Sequence, residues 1–591
     1  MAYLHKRQSK GITYWSIRES FREKGKKSPS TRVLINIGSD KNLSSFVCSL
    51  LDDKKSATET YVIRTRRHGA AMALFKVARE LNIINILGRT FGVRERNDVS
   101  RGISILLAAI HRAMEPGSKR AFSDWFRMTS LPEFLNIDPS VMTSQHFWSQ
   151  MDGISNDELE AAEDAISEAA LHLIPHDTER INLDYSNYYT FISSANNACP
   201  IAKRGKNKQG RRDLRQVSLA IVTTSDLRIP LISHLYEGNI NDIQAFREYM
   251  DVLKKRISPE CLANTTFVFD GGGNTKKNLQ LIEGHYICKF SLSCAKELYD
   301  IPINKYKEVR IDEKTVSAFR LSYNIWGETR DCVLMYSEDL FNGQIAELNK
   351  TQERISECIN ELNGKLTNPK SRVNKDKDAV LSRISSIMSG KKYVSQFISF
   401  EYECEGVKIT ASKKSRKANE EGDKELDKTT IVTKVIMIVD QKKRSAVIKK
   451  YFGKQLLITD QTEWTTEKII GAYRDQSCVE HIFRSTKSDH GSIQPVFHWT
   501  EQKLRVHVFI CLLSQVLIRL LQYHVNCGGL KMSKEYILDR LNEIDEAWLA
   551  TSAEASGEKI GIKKQITNLE GDAGLIWDVV ENIPPTEVKK I

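Results

Sequence analysis

Between residues 181 and 290 the apolar positions fall into short blocks bounded by polar residues: Ile181–Asp184, Val217–Thr223, Ile229–Tyr236, Thr265–Phe269 and Tyr286–Phe290. Blocks of this length predict strands. Asp242 to Lys255, between the third and fourth, predicts a helix, and the alternation of strands with a helix predicts an α/β sheet. Upstream the period is helical. Leu74, Val77, Ala78, Leu81 and Ile84 recur at helical spacing, Ile103–Met114 forms a helix closed by Pro116-Gly117, and Glu158–Ile174 another stopped by Pro175. Further still, Ile12–Ile17 and Arg32–Ile37 read as strands around the turn-rich Lys24–Ser30.

Beyond Asp300 the order breaks. Strand-like Ala318–Tyr323, Cys332–Tyr336, Val394–Glu401 and Ile431–Val439 surround a helix carrying Ile345, Leu348, Ile355, Ile359 and Leu362. Two charge-rich loops, Lys365–Lys377 and Lys413–Lys428, read as exposed. A helix from about Thr466 to Thr486, a long apolar helix from Glu501 and a mixed tail follow, with no internal repeat.

At 591 residues the chain exceeds one ordinary core, and two to four domains are expected. The 87 basic residues against 75 acidic ones give a net charge of +12, which favours a polyanionic partner. The excess is local: residues 1–45 hold ten Lys/Arg against Glu19, Glu23 and Asp40. Phosphate contacts need such an excess, because neutralising a phosphate releases condensed counterions; a solvated basic tail has the same composition. The 11 cysteines form no C-x-x-C pair and no zinc-like spacing, which fits a reduced intracellular compartment. No N-terminal signal peptide is visible. Val506–Leu521, the most apolar stretch, is interrupted by His507, Ser514, Gln515 and Arg519 and falls short of the roughly 20 residues of a span. It reads as a buried helix of a cytoplasmic protein, with no membrane association expected.

Three acids stand in suggestive places. Asp184 follows an apolar strand, Asp270 follows Phe267-Val268-Phe269 and precedes Gly271-Gly272-Gly273, and Glu480 lies within a predicted helix. Carboxylates at strand ends suit Mg²⁺ or Mn²⁺, which take hard oxygen ligands together with substrate phosphate oxygens. Two such ions roughly 3.5–4 Å apart activate an attacking hydroxyl and stabilise the leaving oxygen. The same aspartates would equally serve as turn or helix caps. Tyr473, Gln476, Glu480 and Lys487 are spaced by three, four and seven residues, within one helical arc of roughly 60°. An ordinary amphipathic helix with an ion-pair face has that spacing too.

Together these residues resemble a family. Tyr473, Glu480 and Lys487 keep the Tyr-x2-Arg-x3-Glu-x6-Lys spacing of the prokaryotic insertion-sequence transposases with a DDE core and a YREK signature. Gln476 stands where that family has arginine. Tyr451–Asp460 looks like the strand before the signature helix, and Glu480–Lys487 like its Glu-x-x-Phe-Arg-x-x-Lys stretch. Asp184 and Asp270 match the two catalytic aspartates, although the family often has Asp-Arg-Gly where this chain reads Asp270-Gly271-Gly272. The resemblance covers about residues 1 to 525.

The resemblance implies an α/β fold with a ribonuclease-H-like mixed-sheet core. A small basic β unit (1–65) and a helical DNA-binding region (66–176) would precede it. The core itself would comprise 177–300 and 461–525, separated by a β-rich insertion with a helical segment (301–460), and a C-terminal helical region (526–591) would follow. Asp184, Asp270 and Glu480 would hold two Mg²⁺ or Mn²⁺ ions. Tyr473, Gln476 and Lys487 would lie against DNA. The basic loop Lys203, Arg204, Lys206, Lys208, Arg211, Arg212 and Arg215 follows the first aspartate and is expected near phosphates; a solvated hairpin loop would look alike. Trp326 and Trp464 are candidates for stacking on an extruded base, with core packing the plainer role. The expected partner is double-stranded DNA, both transposon ends and target, bound by a homodimer. Two other readings compete: a nuclease of the same fold without strand joining, and a transposase-derived DNA-binding protein that no longer cuts.

Overall fold

The computed structural model describes residues 2–9, 12–21, 30–39, 60–92, 95–96, 98–174, 179–206, 210–311, 314–408, 428–488, 490–551 and 561–584. All but Ser30 of the turn at Lys24–Ser30, Lys208 and nearly all of the loop Lys413–Lys428 lie outside the described residues. The chain divides into two compact units, one of residues 1–176, 186–239 and 481–591, the other of residues 177–185 and 240–480.

In the first unit the N-terminal strands Ala2–Ser9, Ile12–Phe21 and Ser30–Ser39 form an antiparallel meander. The pattern had indicated only the second and third. Helices Gly69–Glu80, Arg101–Met114 and Asn156–Leu173 pack on the long helix Glu501–Cys527. Ser155 and Glu158 close a reciprocal capping box at the start of the third, satisfying two N–H groups that a helix end otherwise leaves open. Among the described residues Glu501–Cys527 alone is long and apolar enough to cross a membrane, and 94% of its apolar window is buried inside the protein. The expectation of a core helix there holds.

The C-terminal stretch, expected as a helical region, also contains strands. Asp545–Thr551 and Gly561–Thr567 are strands, and Asp545–Thr551 also pairs with Thr60–Arg67. Ala547, Leu549 and Ala550 favour helix locally, but pairing with a strand nearly 500 residues earlier overrides that preference.

The second unit is built on a mixed sheet. From one edge its strands run Lys307–Ile311, Lys314–Ile325, Glu328–Tyr336, Lys454–Thr459, His285–Phe290, Thr266–Phe269 and Arg180–Thr190, the last passing into the first unit at Ser186. The strands beyond residue 301, expected in a separate insertion, thus extend the sheet that carries the aspartates. A second core gathers Leu348, Ile355, Ile359 and Leu362 of the helix Glu338–Thr367 against Val432 and Val435 of the hairpin Ile398–Lys408/Lys428–Val439. The strand expected from Val394 begins only at Ile398, where Val439 is available to pair; Val394–Gln396 is a 3₁₀ turn.

One face of the sheet is covered by the helix Thr466–Asp475. Its Ile469, Ile470 and Ala472 are fully buried against Val268, Ile287, Val333 and Leu457. Each isoleucine so placed contributes roughly 1.5–3 kcal/mol. The expected single helix to Thr486 is broken at Gln476. Gln476 N–H donates to Tyr473 O at 3.2 Å and Val479 N–H to Gln476 O at 3.0 Å, a tight turn from which Ser477–Ser488 restarts.

Candidate active site

Strands Arg180–Thr190 and Thr266–Phe269 run parallel with Leu183 opposite Phe269, and Phe269 in turn lies opposite Cys288 of the parallel strand His285–Phe290. Those three side chains are buried. One residue further along each strand come Asp184, Asp270 and Lys289. Because side chains alternate across a strand, these three share the other face, abreast on strands spaced about 4.8 Å apart. It is the face that carries Val268 and Ile287, under the helix Thr466–Asp475. Arg180, an even number of residues before Asp184, ties that helix down through its ion pair with Asp475 at 2.9 Å, and Glu179 does so through Lys468.

Asp270 leaves its strand in extended conformation, φ −80° and ψ 168°, and enters a 3₁₀ turn of three glycines. A Cβ on Gly272 would sit 2.6 Å from Asp242 Oδ2, and one on Gly273 2.8 Å from Phe246 Cδ2. The glycines therefore let the helix Asp242–Arg256 close on the strand end, and so fix where Asp270 stands.

Asp270 Oδ1 accepts a hydrogen bond from Tyr473 Oη at 3.4 Å and lies 3.9 Å from Lys289 Nζ. Lys289 and Asp270 are both about half exposed, so water screens their attraction to no more than about 1 kcal/mol. Burial, reinforced by the charge on Asp270, pushes the Tyr473 phenol above its ordinary pKa and keeps it a donor. Two residues before Asp184, Asn182 is fully buried with neither amide atom hydrogen-bonded.

Glu480 is exposed in the first turn of Ser477–Ser488. It lines a cavity of about 330 Å³ together with Lys289, Gln455, Tyr473, Arg474 and Gln476. Tyr473, Gln476 and Glu480 thus share one wall despite the helix break, and Lys289 links that wall to Asp270. Among the described residues no three His, Cys, Asp or Glu side chains are gathered as a metal-holding group, so Asp184, Asp270 and Glu480 do not form a closed ligand set. The strand expected to stop before Asp184 runs on to Thr190, so Asp184 lies within its strand while Asp270 ends its own. The donor chemistry still fits a hard cation, since two neighbouring carboxylates suffice for Mg²⁺, which keeps several waters. Lys289 had not been singled out from the sequence. Its signal was a cation in the otherwise apolar run Tyr286–Phe290.

Of the remaining candidates, Lys487 and the basic loop belong to the first unit and Trp326 and Trp464 to the second. Lys487 Nζ lies 5.5 Å from the centre of the Tyr188 ring, whose hydroxyl bonds Thr486 Oγ1 at 2.6 Å. In the basic loop, Arg215 donates to the backbone carbonyls of Ser193, Asn196, Cys199 and Ala202. It holds the loop's shape with the donors that a phosphate contact would need. Arg211 pairs with Asp213 at 2.9 Å, while Arg204 and Arg212 are exposed. Trp464 packs at the edge of the sheet core, with Lys468 Nζ 3.9 Å from the centre of its ring; Trp326 stacks edge-on with Phe290. Packing, the plainer role, describes both.

No known protein family matches the chain, and no curated protein does. Among solved structures it is similar to a piggyBac transposase synaptic complex with hairpin DNA, at a TM-score of 0.37 and 9% identity over 88% of this chain and 86% of that one.

Proposed function

We propose that the chain is a transposase of the DDE type, with a ribonuclease-H-like core in which Asp184, Asp270 and Glu480 bind divalent metal at the end of a mobile DNA element. The observation that carries this reading is the register that sets Asp184 beside Asp270, with Glu480 on the helix that follows the sheet's covering helix. The flanking arrangement supports it. Two parallel strands adjoin one side of the Asp184 strand, and at its far end, inside the first unit, the antiparallel hairpin Arg215–Thr223/Pro230–Glu237 is its neighbour.

Bound Mg²⁺ or Mn²⁺, two ions in this reading, would activate water or a 3′-hydroxyl and stabilise the leaving oxygen. The protein's share is positional. Tyr473 orients the Asp270 carboxylate by its hydrogen bond, and Lys289 neutralises it until a cation arrives. Lys487, Arg204, Arg211 and Arg212 supply charge for phosphates of double-stranded DNA. A homodimer would pair the two ends.

A second reading has its own support. The carboxylates are not gathered into one set among the described residues, and Gln476 is buried where the resembled family carries arginine. Both suit a transposase-derived protein that binds ends without cutting.

One experiment separates these readings. Purified protein is incubated with Mg²⁺, a target plasmid and DNA carrying the sequences that flank its gene. The transposase reading expects cleavage at the element end and product joined to the plasmid, with Asp184→Asn, Asp270→Asn and Glu480→Gln each slower by at least about 100-fold. Cleavage without joining indicates a nuclease, and binding without cleavage indicates the second reading. Unimpaired variants would sink the carboxylate assignment.

A further inference from the structure

In the first unit, at residues given no metal role above, aromatic side chains stand at the surface. The Phe191 and Phe497 rings stack at 5.2 Å with an interplanar angle of 18°, and Tyr189 meets Phe191 edge-on at 5.8 Å. Phe191 is 46% exposed, Phe497 59% and Trp499 65%, where apolar rings of this size are ordinarily covered. Phe497 and Trp499 alternate with the inward-facing Val496 and His498, so both look outward.

The support beneath them is built. Phe191 N–H donates to Val496 O at 3.2 Å, Glu501 N–H to Ala198 O at 3.0 Å, and Asn196 Nδ2 to Trp499 O at 3.0 Å. Arg215 braces the 193–202 segment from below through its four carbonyl contacts. The edge is cationic. Arg211 stands 5.7 Å from the centre of the Tyr189 ring, Arg204 bonds Ser194 Oγ at 3.0 Å, and Arg212 and Lys206 are exposed beside them. Between residues 203 and 215 only Asp213 is acidic, and it pairs with Arg211.

We infer that this surface is a stacking platform for single-stranded DNA. Unpaired bases would lie on Phe497, Phe191 and Trp499 while their phosphates run along Arg204, Arg211 and Arg212. Flat rings offer a base its π-face without reading its edge, and neighbouring cations track the backbone. Duplex DNA cannot use the rings, because its bases already stack on one another. A protein partner seated on the apolar rings would leave the basic rim unmatched. The inference concerns binding alone and stands whether or not the carboxylates cut DNA.

The test measures fluorescence anisotropy of a labelled oligothymidylate of about 20 nucleotides with the full chain in EDTA, which separates it from metal-dependent cleavage. The expected result is binding that weakens about tenfold in Phe497→Ala and further in Phe497→Ala/Trp499→Ala, and that persists in Phe497→Trp. Arg204→Gln/Arg212→Gln should lower the salt dependence of binding. All these side chains are exposed, and an unchanged thermal transition confirms folding. Three results would overturn the proposal: undiminished binding by the double variant, an equal loss of blunt-duplex binding in that variant, and equal or tighter binding of oligouridylate. So would loss of self-association in Phe497→Ala with oligonucleotide affinity unchanged, since the patch would then join copies of the chain.

Discussion

Tyr473 Oη donates to Asp270 Oδ1 at 3.4 Å across 203 residues of sequence, joining the helix that covers the sheet to the end of the strand Thr266–Phe269. The phenol is partly buried and held protonated, whereas the carboxylate is exposed. Its loss should therefore affect the position of the acid more than the stability of the fold. Tyr473→Phe is expected to change unfolding free energy by less than about 1 kcal/mol and to slow metal-dependent cleavage roughly tenfold. Urea unfolding and single-turnover cleavage measure the two, and an unchanged cleavage rate would remove Tyr473 from the site.

In the proposed reading Lys289 would compete with a cation for Asp270. At 3.9 Å and half exposed, the pair is worth no more than about 1 kcal/mol, or roughly fivefold in an equilibrium constant. Lys289→Gln should accordingly lower the Mn²⁺ concentration for half-saturation by up to about fivefold. Titration followed by Mn²⁺ electron paramagnetic resonance reads this directly without catalysis. Weaker Mn²⁺ binding in the variant would show that the lysine supports the cation site instead of opposing it.

The sequence announced the strand before Asp270 because it is a short apolar block with a polar end, only Ile181–Asp184 of the longer strand Arg180–Thr190, and the helix face of Tyr473, Gln476 and Glu480 because its spacing is local. What it could not announce is register. That Asp270 stands between Asp184 on one neighbouring strand and Lys289 on the other follows from pairing between strands about 85 and 20 residues apart, which no local pattern encodes. For the same reason the Phe191–Phe497 stack was invisible, and Arg215 was grouped with the phosphate-binding arginines until its contacts with loop carbonyls were on view. The triglycine after Asp270 was legible as an anomaly but not in its cause. It accommodates Asp242 and Phe246 of a packed helix.

Asn182 buries an amide without hydrogen bonds two residues before Asp184. A buried amide left unpaired costs about 1–3 kcal/mol, and β-branched residues suit a strand interior. Asn182→Val is thus expected to stabilise the protein by about 1 kcal/mol in urea unfolding. Destabilisation would mean that the amide has a partner in solution, such as a bound water.

Acid should weaken the helical unit through its histidines. His111 is packed between Phe122 and Trp125, and burial, with Arg112 and Lys119 nearby, lowers its pKa to about 3. His146, bonded to Ser104 Oγ at 2.8 Å, is lowered by burial to about 4, with Arg96 adding to the effect. In the unfolded chain both would bind a proton near pH 6.5. Between that pH and about 4 the unfolded state therefore holds more protons than the folded one, and stability is lost as pH falls. The slope approaches about 1.4 kcal/mol per pH unit for each histidine. His111→Gln removes one of the two groups, so its urea midpoint should fall less steeply than the parent's from pH 6.5 to 4. Parallel profiles would show that His111 is already protonated in the fold, or that the region opens before it titrates.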